Sequence, residues 1–150
     1  MRQAVRAIVI KNQSLLVMHR NKFGHEFYAL VGGGIDVGET PIQALHREVA
    51  EEASLQIASP RLVIVEDAGS MYGRQYIYLC DYVSGEPALA KDSAESYIHA
   101  AGKNLYTPMW LPLTDLPTVS FMPKELHALL IKYCYGGWPE GDPIQLTIPD

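Results

Sequence analysis

Ala4–Ile10 is a β-rich apolar run, and Leu15–His19 is a second one. Asn12-Gln13 between them reads as a hairpin turn. Asn21–Glu26 is polar and reads as a loop, and Phe27–Val31 as a short strand running into Gly32-Gly33-Gly34. From Thr40 the period changes. Ile42, Leu45 and Val49 recur at three- and four-residue intervals, which predicts a helix over Thr40–Ala53 with those residues as its buried stripe. Thr40, Pro41 and Gln43 supply an N-cap, a first-turn proline and a Thr-x-x-Gln capping box. Leu62–Glu66 and Gln75–Val83 read as strands separated by a glycine-containing turn, and Ser84-Gly85-Glu86-Pro87 as a break. Residues 88–104 form a long, partly helical connection, and Pro108–Leu113 a further strand. Leu126, Leu129, Leu130 and Tyr133 mark a helix over Pro123–Tyr135. After Gly136-Gly137 the tail alternates Ile144, Leu146 and Ile148. It reads equally as an edge strand, a segment pairing with a second copy in a homodimer, or a surface tail. Mixed strands with helices on both faces fit an α/β sandwich.

Composition narrows the class. The chain has 150 residues, the size of one domain with a substantial core, here 1–150 with no linker or repeat. Charged residues are 19% and hydrophobic ones 48%, which fits a globular rather than a disordered chain. The net charge is −5 with no long basic run, which argues against nucleic acid as a partner. Met1–Ile10 carries two arginines and is no signal peptide, and no apolar run is long enough for a membrane span, so the expectation is a cytoplasmic protein. Cys80 and Cys134 are far apart and form no metal or redox motif, so reduced thiols are expected.

The chemistry concentrates in residues 33–55. Glu48 stands three residues from Glu51 and four from Glu52, so these carboxylates share one side of the predicted helix. Like charges at that spacing repel, and Arg47 is the only nearby counter-charge. A hard divalent cation such as magnesium, manganese or calcium would turn the repulsion into coordination. The glycines just before allow backbone to approach a ligand closely.

This stretch resembles the signature box of the Nudix hydrolases. That pattern runs Gly, five residues, Glu, seven residues, Arg-Glu, an apolar residue, a spacer, Glu-Glu, a spacer, Gly and an apolar residue. Gly33, Glu39, Arg47, Glu48, Val49, Glu51, Glu52 and Leu55 match it, and Ser54 stands where the final glycine is usual. A serine in that helix terminator implies about 1 kcal/mol of strain or a different exit from the helix. Weaker resemblance runs to about Leu113.

The resemblance implies a Nudix-type α/β/α sandwich with a mixed sheet. It also implies metal-dependent hydrolysis of the diphosphate linkage in a nucleoside diphosphate derivative. Nucleoside triphosphates, nucleotide sugars and dinucleoside polyphosphates are the candidate substrates. Mg2+ is the expected cofactor, with Mn2+ as a substitute. Glu48, Glu51 and Glu52 would bind metal or activate water. Arg47 would pair with Glu39 and hold the loop, and Gly33 and Gly34 would present backbone to metal or phosphate. In the later loop, which holds Asp92 and Glu95, the resemblance offers Glu95 as a further ligand or base, against an ordinary solvated role. Arg20 and Arg74 are candidate contacts to phosphate or base, and Tyr72 is a candidate for stacking. Trp110 reads as core before it reads as a stacking platform. His19, His25 and His46 are of the residue type used in acid–base chemistry but lack a triad-like setting. Two other readings compete: a nucleotide-binding regulatory protein with little turnover, and a box-containing isomerase that would need a dedicated cysteine.

Overall fold

The computed structural model describes residues 2–91 and 93–149. Four strands precede the first helix: β1 (Gln3–Lys11), β2 (Ser14–Lys22), β3 (His25–Ala29) and β4 (Val31–Gly34). Then come α1 (Pro41–Ala53), β5 (Gln56–Asp67), the single turn α2 (Gly69–Tyr72) and β6 (Arg74–Ser84). The chain closes with α3 (Ala94–Ala100), β7 (Asn104–Pro112), a 3-10 turn at Leu116–Thr118, α4 (Lys124–Gly136) and β8 (Ile144–Thr147).

The strands order as β3-β2-β1-β6-β5-β8, with β4 on β1 and β7 on β2. β1 pairs with β6 in parallel and with β2 and β4 antiparallel, so the sheet is mixed. Alternation along β1 divides the core. Val5, Ala7 and Val9 pack with Ala44, Leu45 and Val49 of α1. Ile8 packs on the other side with Leu126 and Leu130 of α4. The result is the expected α/β/α arrangement.

The hairpin turn at Asn12-Gln13 forms with both residues at positive φ, 50° and 62°. The polar segment Asn21–Glu26 is not a loop. Its residues pair across β2 and β3 as far as Lys22 with His25, leaving only Phe23 and Gly24 to turn. Polarity misleads here because the ribbon's outer positions face solvent. β5 is also longer than Leu62–Glu66. It passes through Ser59-Pro60 by a register shift between Ala58 and Arg61, with Ser59 at φ 50°. A bulge is where proline and positive φ are tolerated inside a strand.

α1 begins as its sequence predicts. Thr40 Oγ1 accepts from the Gln43 amide at 3.1 Å, and Gln43 Oε1 accepts from the Thr40 amide at 2.9 Å. Its buried face differs from the apolar stripe. Ile42 is 38% exposed, whereas Ala44, Leu45, Glu48, Val49, Glu52 and Ala53 are buried. Two glutamates therefore lie on the buried face itself. Ser54 ends the helix in the left-handed region, φ 57° and ψ 30°, and its Oγ donates to the Ala88 carbonyl at 2.6 Å.

The tail folds back on its own sheet. β8 runs parallel to β5 from Ile144 opposite Ile64 to Thr147 opposite Asp67. Trp138, Ile144 and Leu146 join the α4-side core. Cys80 and Cys134 are both free thiols, and burial pushes each up to about 12. Among the described residues no helix is long and apolar enough to cross a membrane.

The end of α1 supplies a test. Ser54→Ala keeps the left-handed backbone and loses the hydrogen bond, so it should destabilise the protein by about 1 kcal/mol. Ser54→Gly loses the same bond but relieves about 1 kcal/mol of strain, leaving stability near that of the parent. Urea unfolding compares the two, and an equal loss in both variants would contradict the strain assignment.

Candidate active site

α1 carries its glutamates into the space beneath β4. The Gly32 amide donates to Glu52 Oε2 at 3.0 Å. Gly33 leaves room for Glu48: a Cβ there would stand 2.5 Å from that carboxylate. Gly34 contributes its carbonyl, which accepts from Arg47 Nη2 at 2.9 Å. Strand β4 thus fits over Glu48 because residue 33 has no side chain.

Arg47 ties the loop to the helix. It holds Glu39 with two bonds, Nε to Oε2 at 2.8 Å and Nη2 to Oε1 at 2.9 Å, in the fork geometry that strengthens such pairs. Its Nη1 donates to Glu48 Oε1 at 2.8 Å and to Glu51 Oε2 at 3.3 Å. Asp36 stands 3.4 Å away. The hydrogen bond from Arg47, then the Asp36 amide, bring Glu39 down to about 2. The Glu39 pairing in turn raises Arg47.

Glu95 reaches the same place from α3. Ser93 caps that helix by accepting from the Ser96 amide at 3.1 Å. His99 Nδ1 accepts from the Tyr106 amide at 3.0 Å and so docks α3 on β7. Glu48, Glu52 and Glu95 then offer oxygens that all lie within 4.8 Å of one another. Asp92, the other acidic candidate of this loop, lies outside the described residues.

Burial and crowding set the protonation of this cluster. Burial raises Glu48 against the opposing pull of Arg47. Glu52 is pushed up to about 8, first by burial, while Arg6 and the Gly32 amide pull it down and Glu48 and Glu95 push it up. Three converging carboxyls with too little positive charge form a donor set suited to a divalent cation.

The other candidate residues separate. Glu51 has a side chain 43% exposed and faces Arg47, apart from the three-carboxylate cluster. Arg20 and Tyr72 line a cavity of about 580 Å³ together with Arg6, Lys22, Phe27, Glu66, Gln75 and Met122. The Arg20 guanidinium donates to Asn104 Oδ1 and the Leu105 carbonyl and stacks 3.7 Å from the Tyr106 ring centre. Arg74 opens β6 at an exposed position and is not among the cavity-lining residues. Trp110 packs edge-on to Tyr82 against the α1-side core. His19 lies 3.6 Å from Glu26, and His25 lines the cavity.

Three residues of this region escape a motif search: Arg6, Glu66 and Gln75. Arg6 donates to Gln75 Oε1 at 3.2 Å and to the Leu30 carbonyl at 3.3 Å. It lines the cavity, and its charge favours the ionised form of both Glu52 and Glu66. Arg6 therefore connects the carboxylate cluster to the cavity. A signal was available: each of the three shares a strand face with buried Ile8, Ile64 or Ile77.

The raised Glu52 makes a signed prediction for metal-free protein. Its folded value, about 8, lies above the ordinary carboxylate value of about 4.5. The neutral form is thus favoured by folding, and this stability is full below about pH 4.5 and lost as pH rises toward about 8. Glu52→Gln is neutral throughout and should lose less stability between about pH 5 and about pH 8 than the parent does. Urea unfolding in chelator measures this, and identical slopes would contradict the assignment.

Comparison with known proteins follows the same lines. The family model of the NUDIX domain matches residues 1–130. The 8-oxo-dGDP phosphatase NUDT18 of Homo sapiens is 30% identical over 120 residues, 80% of this chain and 33% of that protein. The NAD-capped RNA hydrolase NudC of Haemophilus influenzae (strain PittEE) is 30% identical over 125 residues, 82% of this chain and 45% of that protein. This chain thus spans less than half the length of these curated relatives. An ADP-ribose pyrophosphatase from Streptococcus suis 89-1591 superposes with a TM-score of 0.66 at 18% identity, covering 97% of this chain and 98% of that one. A MutT protein from Bacillus halodurans gives 0.65 at 15% identity, with coverage of 98% and 88%. Likeness at such identity carries the fold alone.

Proposed function

Because the chain belongs to the NUDIX family, we propose that it hydrolyses the diphosphate linkage of a nucleoside diphosphate derivative with the help of a divalent cation. The observation that carries this reading is the convergence of Glu48, Glu52 and Glu95 within 4.8 Å, drawn from two helices. Their buried, crowded setting fits a hard cation, with Mg2+ first and Mn2+ as a substitute. Glu48 and Glu52 would hold it, with Glu95 beside them and Glu51 acting through water or a second ion. Bound there, the cation would withdraw charge from the diphosphate and make water more acidic.

The chain's own residues do the rest. The Gly32 amide fixes one oxygen of Glu52 and thereby aims the other. Arg47 holds Glu48 and, through Glu39 and the Gly34 carbonyl, keeps the loop over the helix. The carboxylate of the cluster that is left free takes the proton of the attacking water. Arg6 lines the cavity and its charge also acts on Glu52, so it would suit the phosphate end of a nucleotide that reaches from the cavity to the cluster.

The cavity supports a compact substrate. About 580 Å³ is the volume of an ordinary small-molecule site. An overall charge of −5 disfavours a long polyanion, whose binding relies on many basic contacts. Nucleoside triphosphates and nucleoside diphosphate sugars are the substrates this favours.

The test is a panel of such nucleotides, with capped RNA beside it, in magnesium. Release of phosphate or nucleoside monophosphate is expected, lost in chelator and restored by manganese. Glu52→Gln keeps shape but removes the charge, so turnover should fall by about a hundredfold or more while the protein stays folded. Parental turnover in that variant would overturn the site. Binding without turnover across the panel would favour the regulatory reading, and hydrolysis of capped RNA alone would overturn the compact substrate.

A further inference from the structure

The cavity lining holds an acceptor that nothing uses. Glu66 on β5 is 4% exposed and lines the cavity. Among the described residues no donor lies within hydrogen-bonding reach of its Oε1. Its polar neighbours are committed elsewhere. Gln75 gives its amide oxygen to Arg6 and its amide nitrogen to the Tyr72 carbonyl at 3.1 Å. Arg6 is engaged by Gln75 and the Leu30 carbonyl. Burial raises Glu66 to about 6, Arg6 pulls it down, and Glu125, whose Oε2 also lacks a hydrogen-bond partner among the described residues, pushes it up. A buried carboxylate oxygen without a donor is costly, and a donor brought by a ligand would relieve that cost.

Carboxylate chemistry restricts what that ligand can be. An ionised carboxylate only accepts, and its two oxygens lie side by side. Guanine presents a ring N–H and an exocyclic amine as adjacent donors on one edge. Adenine and cytosine place a lone pair beside their single donor group, and uracil flanks its N–H with two carbonyls. Each of these sets a lone pair against the carboxylate. Tyr72 and Phe27 line the same cavity and offer faces for a planar base.

We propose that Glu66 is a specificity residue that reads the donor edge of guanine, making guanine nucleotides the preferred substrates. The inference rests on the hydrolytic reading above for its role in catalysis. Gln75 and Arg6 position the surroundings of this carboxylate, and the diphosphate extends past Arg6 toward Glu48, Glu52 and Glu95.

Binding tests this without turnover. Calorimetry would compare the α,β-methylene analogues of GDP, IDP, ADP and UDP on the full chain and on Glu66→Gln. The guanine analogue should bind the parent at least about 10-fold more tightly than the hypoxanthine analogue, which lacks only the exocyclic amine, or the adenine analogue. Glu66→Gln replaces one acceptor by a donor, so its guanine-over-adenine ratio should fall about 10-fold or more. Equal affinity of the parent for guanine and hypoxanthine, or no binding, would overturn the proposal, and this arm needs no variant. An unchanged ratio in a folded variant would overturn it as well. Guanine-selective binding with no hydrolysis in magnesium would fault the enzymatic reading alone, whereas hydrolysis blind to the base would fault only this one.

Discussion

Glu48 and Glu52 lie four residues apart on the buried face of α1, where a helix would ordinarily carry leucine. Much else in this end of the molecule compensates for that placement. Arg47 offsets Glu48, the Gly32 amide and Arg6 offset Glu52, and Gly33 leaves the space that the Glu48 carboxylate occupies. The compensation is incomplete, since Glu52 stays far above the usual carboxylate range. Keeping an under-neutralised pair in the interior costs the fold stability.

The sheet explains how so many parts meet there. β1 pairs with β2, β4 and β6, so one strand sets the height of the glycine run, the hairpin and the central sheet together. Its two faces serve different ends. One seats α1, and the other carries Arg6 into the cavity. α3 arrives separately, held by His99 on β7, and contributes Glu95. The carboxylate cluster is thus assembled from segments distant in sequence: α3 docks on β7, and the segment that leads to it hydrogen-bonds to the end of α1 at Glu51 and Ala53.

What could be read beforehand follows from how local each cause is. The capping box and the glutamate spacing depend on residues within a turn or two and appear where spacing predicts, and the Arg47–Glu39 pair forms as the family resemblance implies. The buried face of α1 was less legible. An apolar stripe assigns Ile42 to the core, but the helix turns its carboxylates inward and leaves Ile42 half in solvent. Polar composition hid the β2–β3 ribbon, because cross-strand pairing is a property of two segments rather than of one. Arg6, Glu66 and Gln75 belong to three strands, and only the register that aligns β1, β6 and β5 makes them neighbours. The tail's three alternatives could be separated only by knowing that β5 has an open edge.

That edge has a consequence for where this protein's folding unit stops. The family match closes at residue 130, inside α4. Yet Trp138, Ile144 and Leu146 complete the core on that side, and β8 occupies the hydrogen-bonding edge of β5. An uncovered strand edge invites pairing with other chains. The last segment therefore acts as a built-in edge guard: it lies beyond the residues that the family model matches, and it spares the strand carrying Glu66 from being a template for aggregation.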